Sequence, residues 1–243
     1  SLALLGSRDE LRPAYLCFRY CCPPNIYGGI GKSLSIEKRY TVTNVMLSDS
    51  NQQDRWEKRY LDGKTGWDRG GPSPALEFGL ARMPCPPARV LIPACGRGYE
   101  IAELASRGYR VTGVDFAQSA ATDLQEILQA QRLKADIVSS DLFAWEAEKP
   151  FDVIYEQTAL CALEPQQWPE YAERLYRWLH PGGLLIGAFM QTHRTGGPPW
   201  HCALETVEEL FPVDKWDWPE QKNRTIAHPS GLKELAITLK RRK

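Results

Sequence analysis

The chain has no surplus of charge: Lys plus Arg and Asp plus Glu each total 30 in 243 residues. Basic residues gather only in the final Lys240-Arg241-Arg242-Lys243, so nucleic acid is not expected as a partner. No window of roughly 18 consecutive apolar residues occurs, so no membrane-spanning helix is expected. No charged-then-apolar leader opens the chain, which leaves the cytoplasm as the expected compartment. The cysteines Cys17, Cys21, Cys22, Cys85, Cys95, Cys161 and Cys202 are odd in number, without paired CxxC knuckles or a matching His pair. They read as reduced thiols, with neither a disulfide frame nor a metal site. A Ser-His-Asp arrangement, an HExxH helix and a Walker loop are also missing, and His180, His193, His201 and His228 are dispersed.

What is present suits one folded domain. Apolar residues make up 43% and charged residues 25%, ordinary values for a globular protein. The first 45 residues hold no Met and carry Pro-Pro and Gly-Gly punctuation without periodicity. Residues 1–48 are therefore expected to be an irregular N-terminal extension and residues 49–243 the functional domain, with Met46 a plausible start.

From Trp56 onward, strand-like and helix-like segments alternate, predicting βαβ units and a mostly parallel sheet. Residues 89–94 (RVLIPA) form an apolar run that ends in Cys95-Gly96-Arg97-Gly98 and leads into a helix with Ile101, Leu104 and Ala105 on one face. Residues 110–114 give a second strand, after which Ser119 is placed to cap a helix carrying Ala120, Leu124, Ile127 and Leu128. Further strands are expected at 135–138, 151–155 and 184–190, with a helix through Trp168 and Trp178 that stops at Pro181-Gly182-Gly183. A short helix near 206–211 and two final strands near 213–218 and 234–239 complete a seven-stranded α/β sheet with an antiparallel edge.

The glycine turn lets backbone approach a ligand at the switch point of such a sheet. Gly96 and Gly98 lack the third glycine of the dinucleotide fingerprint, since position 101 is Ile. Asp115 lies 17 residues past Gly98 at the end of the second strand, where a carboxylate can accept both hydroxyls of a ribose; its plainer role is a helix cap. Asp141 follows the third strand and can accept from an adenine amino group, with Leu142 beside the ring. Three such features at successive strand ends point to a nucleoside. Trp56 and Tyr60 share a helix face upstream of Trp67. They either pack that helix on the sheet or offer aromatic faces to a sulfonium cation.

Residues 56–70 (WEKRYLDGKTGWDRG), then RVLIPACGRG, GVDFAQSA, DLFAW, ALEP, HPGG and GGPPW, resemble the thiopurine methyltransferase superfamily. Within it they are most similar to the thiol, thiocyanate and halide methyltransferases of the "harmless to ozone layer" branch. The resemblance implies a Rossmann-like class I fold that binds S-adenosyl-L-methionine through Trp56, Tyr60, Trp67, Gly96, Asp115, Asp141, Leu142 and Gln157. It implies that Tyr176 contacts a small anionic acceptor, against the alternative of an interhelical core Tyr. The chain departs from the family at Tyr60, where Trp is frequent, and at Gln157, where the halide branch often has Tyr. It also has Ile92 where many methyltransferases place an acid and Ala94 where a first glycine is common.

The function expected is methyl transfer to a small sulfur or halide nucleophile by direct displacement, which needs alignment and desolvation but no protein nucleophile. A soft anion needs no general base; a neutral thiol or hydroxyl does. Rival expectations are an aromatic-thiol methyltransferase, a nucleotide-binding oxidoreductase, and a cofactor-binding domain without catalysis. The partner expected is a small-molecule acceptor, and the chain is expected to be a monomer.

Overall fold

The computed structural model describes residues 49–220 and 224–243, with side chains from Gln52 onward. The expected extension at 1–48, the Met46 start and the Cys17, Cys21 and Cys22 cluster lie outside the described residues. Among those described, the strands are β1 Arg89–Pro93, β2 Arg110–Asp115, β3 Asp136–Ser139, β4 Phe151–Gln157, β5 Leu179–Gln191, β6 Trp216–Asp217, β7 Arg224–Ala227 and β8 Lys233–Arg241. The helices are α1 Asp49–Leu61, α2 Pro74–Leu80, α3 Tyr99–Ser106, α4 Gln118–Ala130, α5 Ala159–Ala162, α6 Trp168–Trp178 and α7 Leu204–Leu210.

One sheet runs in the order β3-β2-β1-β4-β5-β8-β6, with β7 also paired to β8. The first five strands are parallel, and β8 lies antiparallel to β5, β6 and β7. This is the expected α/β architecture, with eight strands rather than seven. The additional one is β7, whose RTIA sequence is too short to carry a period.

The apolar runs of the central strands are continuous because both faces of the sheet are covered. Leu91 and Ile154 point into one core with Tyr171, Trp178 and Phe189. Their neighbours Val90, Ile92, Val153 and Tyr155 point into the other with Ile101, Leu104 and Leu124. That alternation is the strand's period of two, and it fixes which residues surface at each strand end. No helix among the described residues is long and apolar enough to cross a membrane.

Two local expectations are corrected. Ser119 does not cap α4: the helix starts at Gln118 after Ala117, and no side chain of the capping residue bonds its amides. Instead the Glu57 carboxylate of α1 accepts from the Ser119 amide at 3.2 Å, and Asp115 accepts from Ala117 at 2.8 Å. Charged groups from elsewhere complete this helix end, which suits the positive end of the helix dipole. Strand β5 begins at Leu179, not at 184, because Pro181-Gly182-Gly183 is taken up inside it as an irregularity. Phe151 pairs with Leu179 and Val153 already with Leu184, while Gly182 takes φ 88°.

Gly113 of β2 shows how tightly α3 lies on the sheet. A Cβ there would come 2.3 Å from Ile101 Cδ1 and 2.9 Å from Cys95 Sγ. Gly113→Ala is expected to cost about 1–3 kcal/mol in urea unfolding. Adding Ile101→Val, which removes the clashing methyl, should recover part of that loss. Additive losses in the double variant would show that the two sites do not compete for space.

Candidate functional site

A cavity of about 600 Å³ lies where β1, β2 and β4 end, within the usual size of a cofactor site. Every residue expected at the cofactor reaches it: Trp56, Tyr60 and Trp67 from the N-terminal segment, Gly96 and Gly98 from the turn, and Asp115, Asp141, Leu142 and Gln157 from the strand ends. Tyr176 is not among them. It sits on α6 against Trp216, with ring centroids 5.6 Å apart, and the Arg241 guanidinium lies 4.1 Å from its ring centre. It faces a separate surface hollow with Pro165, Trp168 and Lys215. This geometry belongs to a side chain that fastens α6 to the β6 and β8 edge; it does not bring Tyr176 to an acceptor in the cavity.

The glycine turn is shaped by close approach. Gly96 takes φ 51° and Gly98 φ 64°; a Cβ on Gly96 would stand 2.7 Å from the Tyr60 hydroxyl, and one on Gly98 2.5 Å from Leu124 Cδ1. Ala94 also takes a positive φ of 47°, so it bends the strand exit as a glycine would, at a cost of roughly 1–2 kcal/mol.

Asp115 is the fixed point of the cavity. Its Oδ2 accepts from the Gly96 amide and its Oδ1 from the Ala117 amide, both at 2.8 Å. A carboxylate offers about four lone-pair positions, so accepting capacity remains for a diol beyond these amides. Burial pushes its carboxyl above the usual range, while those amides oppose the rise. Asp141 uses Oδ1 to accept from the Phe143 amide at 2.8 Å, so its other oxygen keeps its accepting capacity.

The aromatic segment is anchored from both ends. Glu57 binds the Ser119 amide, and Gln53 Nε2 donates to the Phe116 carbonyl at 2.9 Å; together they hold α1 on the start of α4. Trp67 meets Trp56 edge-on at 5.2 Å and Tyr60 at 5.7 Å. Beyond Trp67, Asp68 pairs with Arg97 of the glycine turn at 2.5 Å, and Arg69 reaches Glu234 of β8 at 2.6 Å. Residues 68 and 69 thus bridge the glycine turn and the antiparallel edge. Burial, with Asp115 adding, drives the Tyr60 phenol far above its ordinary value, so it stays protonated. The Cys161 thiol beside the cavity is likewise pushed up by burial.

Sequence reasoning missed the charges beneath this floor. Glu156 is 1% exposed; its Oε1 accepts from the Leu160 amide at 2.7 Å, while Oε2 has no partner. Burial, then repulsion from Glu234, raises its pKa to about 7. Glu234 is fully buried and accepts from Arg69 and from Gln157 Nε2, the latter at 3.2 Å. The available signal was an acid inside the apolar run FDVIYEQ; its partners, 77 residues away in the case of Gln157 and Glu234, were not readable. His228, dispersed in the sequence, also lines the cavity.

The sequence model of the thiopurine S-methyltransferase family matches residues 51–241. Thiocyanate methyltransferase 1 of Brassica oleracea is 34% identical over 78% of this chain and 86% of its own. The thiopurine S-methyltransferase of Pseudomonas putida (strain GB-1) is 32% identical over 76% and 94%. Among solved structures, the Burkholderia thailandensis 1,6-didemethyltoxoflavin-N1-methyltransferase, with bound 1,6-didemethyltoxoflavin and S-adenosylhomocysteine, superposes with a TM-score of 0.67. It has 19% identity and covers 85% of this chain and 94% of its own, a likeness of fold.

The raised pKa of Glu156 has a sign that can be checked. Its proton is held more tightly in the folded state, so its contribution is intact below about pH 4.5 and is lost as pH rises towards about 7. Glu156→Gln removes the ionisation. Relative to the wild type it is expected to gain about 3 kcal/mol in urea unfolding on going from acid to alkaline pH. Parallel pH profiles for the two proteins would show that Glu156 does not carry this charge penalty.

Proposed function

The chain belongs to the thiopurine S-methyltransferase family and is an S-adenosylmethionine-dependent methyltransferase; from that premise we propose that its acceptor is a small sulfur or halide nucleophile. Bound in the cavity, the cofactor supplies an electrophilic methyl group on a sulfonium. The convergence of Asp115, Asp141 and the Gly96 turn with Trp56, Tyr60 and Trp67 on one cavity carries this reading.

The residues suit the ligand. Asp115 retains lone pairs for ribose hydroxyls, Asp141 keeps an oxygen for the adenine amino group, and the missing Cβ at Gly96 lets the Tyr60 hydroxyl close on the turn that lines the cavity. The aromatic faces of the N-terminal segment favour a cation and exclude water. The protein side chains then align and desolvate the reacting groups, which is sufficient for a displacement on carbon. Tyr60 and Cys161 hold their protons and attack nothing.

The loop of Gly196, Gly197, Pro198 and Pro199 also lines the cavity and is tied down by the Trp200 amide, which donates to the Cys161 carbonyl at 2.8 Å; a wall fixed in this way suits a small acceptor. A second reading, an aromatic thiol acceptor, is favoured by the similarity to the Pseudomonas putida enzyme. We further propose a cytoplasmic monomer; the buried thiols of Cys95, Cys161 and Cys202, none in a disulfide, support a reducing compartment.

Calorimetry is expected to show binding of S-adenosylmethionine and S-adenosylhomocysteine and none of NAD; the reverse pattern refutes the assignment. Asp115→Asn should weaken S-adenosylhomocysteine binding by about tenfold or more, the scale of a hydrogen bond to a charged group, and unchanged affinity removes Asp115 from the site. A product assay over iodide, thiocyanate, hydrosulfide, a thiopurine and a catechol should favour the first three; turnover of the thiopurine alone establishes the second reading.

A further inference from the structure

We propose that His228 is a fixed, neutral hydrogen-bond donor at the acceptor end of the cavity, which selects acceptors that arrive already as anions. The inference rests on the methyl-transfer reading above.

His228 opens the tight turn between β7 and β8. Its amide donates to the Leu232 carbonyl at 2.9 Å and its carbonyl accepts from Gly231 at 3.0 Å, so its backbone is held on both sides. The side chain is 6% exposed and lines the same cavity as Arg69, Thr192, Arg194 and Ser230. The Ser230 amide donates to Nδ1 at 3.3 Å, and the Ser230 hydroxyl lies 2.7 Å from the same nitrogen. A ring nitrogen that accepts an amide proton carries none of its own, so the neutral imidazole has its proton on Nε2. That Nε2 is buried and has no partner in the protein. A buried donor left unmatched is unfavourable unless a ligand completes it.

The surroundings keep the ring uncharged. Burial first, and the positive charge of Arg69 second, lower its pKa to about 4. Arg69 faces it from the loop after Trp67 and also donates to the Ala227 carbonyl at 2.8 Å. Glu234 on β8, the nearby carboxylate that could favour an imidazolium, is engaged by Arg69 and Gln157. Arg194 adds a second cation to the lining. With Nδ1 occupied and Nε2 protonated, the ring cannot remove a proton from a neutral thiol. It can donate to an anion, and Arg194 in the same lining offers that anion a positive charge, Arg69 being already paired with Glu234. Thiocyanate, iodide and the hydrosulfide anion meet that requirement; a neutral thiol meets it only after losing its proton to water.

Wild type, His228→Gln and His228→Leu would be compared as complexes with S-adenosylhomocysteine. Nitrogen-15 spectra of imidazole-labelled protein should show Nε2 protonated and Nδ1 unprotonated at neutral pH. Titration with thiocyanate should show about tenfold weaker binding in His228→Leu and near-wild-type binding in His228→Gln, whose amide keeps an N–H donor. S-adenosylhomocysteine binding should be equal in all three. In turnover, kcat/KM should be flat with pH for iodide, and for hydrosulfide should follow the acceptor's own ionisation. An unprotonated Nε2, thiocyanate binding unaffected in His228→Leu, or loss of S-adenosylhomocysteine binding in that variant would each overturn the proposal. Failure of the wild type to bind S-adenosylhomocysteine would instead refute the methyltransferase reading, and the acceptor site with it.

Discussion

The structure around the cavity depends on one buried carboxylate. Asp115 holds the Gly96 amide with one oxygen and the Ala117 amide with the other, so a single side chain sets both the path of the glycine turn and the start of α4. These bonds to an ionised group are stronger than neutral ones, and they offset part of the desolvation that burial imposes, which still leaves the carboxyl raised. The residue that organises the backbone is also the one left with lone pairs facing the cavity. A hydrophobic substitute could fill its volume and do neither.

The N-terminal segment reaches the cavity through a second set of constraints. Its aromatic residues would be free to collapse on themselves if α1 were not fixed by Gln53 and Glu57 to the beginning of α4. The loop beyond is drawn in two directions, by Arg97 on one side and Glu234 on the other. The Arg69–Glu234 pair is largely shielded from water and Asp68–Arg97 partly so, which weakens solvent screening most at the former. The charged floor under Gln157 follows from the same arrangement, because Glu234 must be buried to receive Arg69 and thereby raises the cost of ionising Glu156.

Much of this was legible in the sequence, for a physical reason. An apolar run buried on both faces ends where the chain leaves the core, so Gly96, Asp115 and Asp141 could be placed at the sheet edge from run ends alone. The parallel order and the apolar strand at Leu184 to Met190 were readable on the same basis. What failed depended on distant partners. Ser119 looked like a cap because local chemistry favours it, yet Asp115 and Glu57 supply the acceptors. Tyr176 matched a family position, but Trp216 and Arg241, far along the chain, determine where its ring lies. His228 carried no local signal, since its meaning comes from Arg69, 159 residues earlier in the sequence.

The bridge from Arg69 to Glu234 spans 165 residues, and Trp56 at the other limit of the cavity lies earlier still. A growing chain therefore possesses the parallel strands and the glycine turn well before it possesses a closed ligand chamber. Contacts of such sequence separation form late because loop closure precedes any energetic return. Until β8 emerges and inserts beside β5, Arg69 has no carboxylate to hold and the aromatic segment lacks its second tether. The ligand groups themselves, Trp56 to Gln157, all precede β8, so what β8 adds is the second tether that holds the aromatic segment over them.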